Sequence, residues 1–131
     1  MNAPRDPARP RVLLVDDEES MREFLEIGLR REGYEVETAV DGLEALKRLE
    51  SGGHAVDLVI TDLTMPGCSG LDVLRAARQI PQGPTVIMIT AFATTDTAVE
   101  AMKLGAYDYL VKPFKSEEFM LVVARAVEER S

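Results

Sequence analysis

The chain has 131 residues, 46% of them hydrophobic, which suits one core and leaves no room for a second folded domain. Its 15 Lys and Arg against 23 Asp and Glu give a net charge of −8, which argues against broad contact with nucleic-acid phosphates and assigns any DNA binding to another domain. The single cysteine, Cys68, excludes an intrachain disulfide, and no stretch has the length or flanks of a signal peptide or membrane span, so a cytoplasmic setting without membrane contact is expected.

Residues 1–10 hold Pro4, Pro7 and Pro10 among Arg and Asp, and are expected to form a disordered lead-in to a domain over 11–131. From Arg11 onward, short β-branched runs alternate with helical patterns, the signature of βαβ units around a parallel sheet. Val12-Leu13-Leu14-Val15 is the first strand. A helix is expected over 19–31, with Met21, Phe24, Leu25, Gly28 and Leu29 on its inner face, Ser20 and Glu23 as a capping box, and Gly33 as its stop. Residues 34–40 alternate with period two, as an edge strand does. A second helix over 42–51 opens on Asp41, carries Leu43, Leu46 and Leu49, and closes at Gly52-Gly53.

A third strand is expected at 56–61, a third helix at 70–79 burying Leu71 and Leu74, and a fourth strand after the stiff Pro81–Pro84 connection. The fourth helix, 95–104, has only Ala98, Ala101, Met102 and Leu104 to bury, so it is expected to be thinly packed and able to shift at modest cost. A fifth strand at 106–111 precedes a last helix at 116–129, which buries Phe119, Val122, Val123 and Ala126 and has Ser116 as a candidate cap.

Polar side chains stand where the strand-like runs stop: Asp16 and Asp17, Asp62, Thr90 and Lys112. Parallel strands of one sheet share a carboxyl edge, and ligands bind outside that edge where the strand order reverses, so these residues are expected to meet. Each has a plainer reading: a helix cap for Asp16 or Asp17, a solvated carboxylate for Asp62, a strand-ending β-branched residue for Thr90, an exposed lysine for Lys112. Three converging carboxylates change the balance, because at about 5 Å and an effective dielectric near 20 each charge pair repels by roughly 3 kcal/mol. A bound cation relieves that repulsion, and all-oxygen ligation favours Mg2+, with Mn2+ as substitute, over zinc. Neither His54 nor Cys68 supplies a soft-ligand set, and no cation within three residues of Cys68 lowers its pKa.

The span from Arg11 to Glu129 resembles a response-regulator receiver domain of two-component signalling. The resemblance rests on Leu13-Leu14-Val15-Asp16-Asp17-Glu18, on the run Asp57 to Gly67 with Gly70, on Ile89-Thr90-Ala91, and on the run Gly105 to Phe114. The last run is most similar to receivers of nitrogen-regulation-type transcriptional activators. This resemblance implies a doubly wound (βα)5 flavodoxin-like α/β fold with strand order 2-1-3-4-5. It implies Asp62 as phosphoacceptor from a sensor histidine kinase, with metal held by Asp17, Asp62 and the Thr64 backbone carbonyl directly and by Asp16 through water. Lys112, next to a cis-proline bond, would spread transition-state charge. Thr90 would move toward the new phosphoryl group and Tyr109 would fill the space behind it, changing a helix 4/strand 5/helix 5 face that serves a homodimer or a transcriptional output. Thr64 and Phe92 would tune the phosphate lifetime.

Three other readings compete. A haloacid-dehalogenase-type phosphatase needs a second acid two residues after its nucleophile, where this chain has Thr64. An FMN-binding flavodoxin shares the fold, yet Asp16-Asp17-Glu18-Glu19 would repel its phosphate. The third is a receiver that serves only as a phosphorylation-independent dimerisation scaffold. The domain is expected not to be an enzyme in its own right, and to be a receiver cut from a longer activator rather than a single-domain regulator.

Overall fold

The computed structural model describes residues 9–130, and most of the expected lead-in lies outside them. The strands are β1 (Arg11–Val15), β2 (Glu35–Ala39), β3 (Leu58–Asp62), β4 (Thr85–Thr90) and β5 (Asp108–Val111). The helices are α1 (Glu19–Arg31), α2 (Gly42–Gly52), α3 (Gly70–Arg78), α4 (Thr95–Lys103) and α5 (Ser116–Arg130), with a short 3-10 turn, Gly53–Ala55, before β3. All pairings are parallel and the order is β2-β1-β3-β4-β5, so the strand order reverses between β1 and β3.

Strand pleating sends successive side chains to opposite faces, and the two faces build two cores. Val12, Leu14, Leu58, Ile60, Ile87, Ile89 and Leu110 pack with Leu25 and Leu29 of α1 and with Phe119, Val123 and Ala126 of α5. Leu13, Val15, Val59, Val86 and Met88 pack with Ala45 and Leu49 of α2, Val73, Leu74 and Ala77 of α3, and Ala101 of α4. Phe119 stacks on Phe114 with ring centroids 5.3 Å apart, which closes the end of the α5 face.

Several local expectations are corrected. Phe24 is 57% exposed and Leu43 59% exposed, so neither lies on an inner stripe. In α1 that stripe runs through Leu25 and Leu29; in α2 it runs through Gly42, Ala45 and the expected Leu49, with Gly42 against backbone. A Cβ on Gly42 would stand 2.5 Å from the Cys68 carbonyl oxygen. The Ser20–Glu23 capping box does not form: α1 begins at Glu19, and Ser20, already inside it, donates to Glu18 Oε1 at 3.2 Å. Asp41 does cap α2, accepting from the Glu44 N–H at 2.8 Å. Gly33, at φ 93°, ends α1 as expected.

At the opposite end of the sheet, Asp57 accepts from the Arg11 N–H at 2.8 Å and from Arg130 Nε at 3.2 Å, which ties the end of α5 to the entry of β1.

Candidate functional site

Strand register brings the expected residues together. Val15 pairs with Thr61, so the next residues, Asp16 and Asp62, leave the sheet side by side at the β1/β3 reversal. Thr90 pairs with Val111, and the Lys112 N–H donates to the Thr90 carbonyl at 2.8 Å, which sets Lys112 at the same edge. The pleat sorts these side chains further. Asp16, Asp62 and Lys112 share the parity of Leu14, Ile60 and Leu110, on the α1/α5 face, whereas Thr90 and Tyr109 share the parity of Met88, on the α4 face.

Lys112 Nζ donates to Asp16 Oδ2 and to Asp62 Oδ2, each at 3.0 Å, with all three side chains largely buried. Asp16 Oδ1 accepts from the Glu18 N–H at 2.9 Å, which holds the turn into α1, and Arg22 Nη1 reaches back to the Asp16 carbonyl at 2.8 Å. Asp62 Oδ1 accepts from the Thr64 N–H at 3.2 Å. Burial pushes the Asp62 carboxyl above the usual aspartate range; Lys112 opposes this and the Asp16 charge adds to it. Burial alone would depress the Lys112 ammonium, but its bonds to Asp16 and Asp62 outweigh it and raise the pKa.

Asp16, Asp17 and Asp62 bring carboxylate oxygens within 4.8 Å of one another. One ammonium facing three carboxylates leaves surplus negative charge, and the donors are all hard oxygens, so the set fits Mg2+. The cleft beside it is lined by Asp17, Asp62, Thr64, Ala91, Phe92 and Lys112. Phe92 is 72% exposed at its rim, and its N–H donates to Thr90 Oγ1 at 3.0 Å. The Lys112–Pro113 bond is cis.

Tyr109 pairs with Met88 in the sheet, and its hydroxyl meets Thr97 Oγ1 at 2.9 Å. Thr97 is a residue that sequence reasoning passed over, as is Arg22. The Thr94-Thr95-Asp96-Thr97 spacing carried a signal for Thr97, since a hydroxyl three residues after a threonine cap can close a capping box. Cys68 and His54 lie outside the cluster: Cys68 Sγ contacts Asp72 at 3.7 Å, and His54 sits in the 3-10 turn before β3.

Comparison with known proteins agrees with this geometry. Residues 12–124 match the response regulator receiver domain family. The regulatory protein AtoC of Escherichia coli is 39% identical over 92% of this chain, and the response regulator ArlR of Staphylococcus aureus is 41% identical over 91%. The chain spans 26% of the length of AtoC and 52% of ArlR. Among solved structures, a response regulator receiver domain protein from Clostridium thermocellum superposes with a TM-score of 0.84 at 33% identity, covering 92% of this chain and 96% of that one. The response regulator TrrA of Thermotoga maritima, solved with Mg2+ and BeF, gives 0.78 at 39% identity, covering 89% and 98%.

Proposed function

The chain belongs to the response regulator receiver domains, and from that premise we propose that it accepts a phosphoryl group on Asp62 from a phosphohistidine of a sensor kinase and signals through its α4/β5/α5 face. The observation that carries this reading is the shared contact of Lys112 with Asp16 and Asp62 at 3.0 Å beside a third carboxylate, Asp17. Asp62 Oδ1 or Oδ2 attacks phosphorus, the bond to the donor nitrogen breaks, and that nitrogen leaves with its electron pair. Lys112 follows the charge, from Asp62 before transfer to a phosphoryl oxygen after it. Asp17, Asp62 and the Thr64 carbonyl would hold Mg2+, with Asp16 acting through water, and the ion supplies neutralisation of the phosphoryl oxygens.

Thr90 then donates to the new phosphoryl oxygens, giving up its present bond from the Phe92 N–H, and Tyr109 takes the space behind it. A homodimer or output role for the α4/β5/α5 face is supported by half-exposed Val99 and Met102 on α4 and Val111 on β5. AtoC and ArlR are a regulatory protein and a response regulator, and transcriptional control by a following domain, in the cytoplasm, is the corresponding reading here. No helix among the described residues is long and apolar enough to cross a membrane.

Intact mass after incubation with acetyl phosphate and Mg2+, with light scattering alongside, tests the proposal. One added phosphate with a change of oligomeric state is expected. Phosphate without assembly would leave a monomeric, partner-binding switch, and assembly without phosphate would make the domain a constitutive scaffold.

A further inference from the structure

We propose that Thr97 is a latch that holds α4 to Tyr109 in the unphosphorylated domain, so that the tyrosine cannot swing behind Thr90 without releasing the first turn of α4 from β5. This deepens the phosphorylation reading above and rests on it for the step that opens the latch.

The Thr97 hydroxyl serves two structures at once. It accepts from the Thr94 N–H at 3.1 Å and donates to the Thr94 carbonyl at 3.0 Å, while Thr94 Oγ1 accepts from the Thr97 N–H at 3.1 Å. Together these close the capping box of α4. The same oxygen meets the Tyr109 hydroxyl at 2.9 Å across the gap to β5. A helix start and a β5 side chain therefore share one atom.

The rest of α4 is weakly held. Ala101 is its one buried residue, and Val99 and Met102 are about half exposed. The bridge from Arg75 of α3 to Glu100 is 3.2 Å long but joins two half-exposed side chains, a class of pair that water screens and that adds little to stability. With so little apolar anchorage, the position of α4 depends on its capping turn, and that turn depends on where the tyrosine points. Pleat parity explains the arrangement: Tyr109 faces the α4 side, as does Thr90, so withdrawal of Thr90 opens space on the side where the tyrosine already lies.

Amide hydrogen exchange over residues 92–104 of the full chain tests the latch. Without phosphodonor, Tyr109→Phe, which leaves the capping box intact, should speed exchange of the α4 amides about 2–12-fold, the equivalent of one net hydrogen bond. Thr97→Val should speed it more, Thr97→Ser should restore the parent rate, and the double variant Thr97→Val/Tyr109→Phe should match Thr97→Val alone. After acetyl phosphate and Mg2+, the parent should approach the Tyr109→Phe rate, and Tyr109→Phe should gain little more. Equal exchange in Tyr109→Phe and parent, or additive effects in the double variant, would overturn the latch. The arm without phosphodonor is independent of Asp62 chemistry: failure to take up phosphate would sink the phosphoacceptor reading and the opening step, and leave the resting Thr97–Tyr109 coupling measured on its own.

Discussion

Asp62 is kept in an environment that resists its own charge. Its carboxyl lies above the ordinary aspartate range because burial, and then the neighbouring Asp16 charge, outweigh the help of Lys112. Between the ordinary aspartate pKa and this raised one, with metal chelated, the folded protein holds a proton at Asp62 that the unfolded chain has released. Stability from this residue is greatest below the ordinary aspartate range and is lost as pH rises through it to the raised value. Asp62→Asn should raise the thermal midpoint in chelator at neutral pH and flatten that pH dependence, read by calorimetry across the acidic range. Phe92 is 72% exposed at the rim of the cleft that holds Asp62, and we propose that its bulk hinders water from reaching the phosphorylated carboxylate. Phe92→Ala should shorten the half-life of the phosphorylated protein several-fold, followed by intact mass after removal of donor. Asp16, Asp17, Asp62, Thr90 and Lys112 were legible in the sequence because each ends an apolar run, and ends of parallel strands converge. Thr97 and Arg22 were not, since their roles depend on which way a helix start and a first-turn arginine face a neighbouring element.

Among the helices, α3 starts hard against the end of the acceptor strand. Gly70 at its start lies so close to β3 that an added Cβ would stand 2.3 Å from the Asp62 carbonyl oxygen and 2.9 Å from the Leu63 Cα. Both neighbours are backbone and have no flexible end to move aside, so Gly70→Ala should cost about 1–3 kcal/mol in urea unfolding and slow phosphate uptake. Helix faces show where pattern reading holds and where it slips. The α5 stripe of Phe119, Val123 and Ala126 was read correctly, because large apolar residues recur there at helical spacing. In α1 and α2, Phe24 and Leu43 misled it: one residue turns the helix by about 100°, and the inner face of α2 combines Leu49 with Gly42 and Ala45, whose small size admits close approach. Phe119→Ala should therefore destabilise by about 3–5 kcal/mol in urea unfolding. Phe24→Ala should stay within about 0.5 kcal/mol of the parent.

At the scale of the whole molecule, one sheet has two unlike faces. The α1/α5 face carries Asp16, Asp62 and Lys112 at its edge, and the α4 face carries Thr90 and Tyr109, so in the reading we propose chemistry and response lie on opposite sides of the strands that join them. A charge of −8 gives a bound cation a favourable field. The central claim is that Asp62, and neither Asp16 nor Asp17, carries the phosphoryl group. Borohydride reduction of the phosphorylated protein converts an acyl phosphate to homoserine, and peptide mass mapping then finds the converted residue. Homoserine at position 62, absent from Asp62→Asn treated in the same way, is the predicted result; conversion at position 16 or 17, or none after phosphate has been added, would contradict the account.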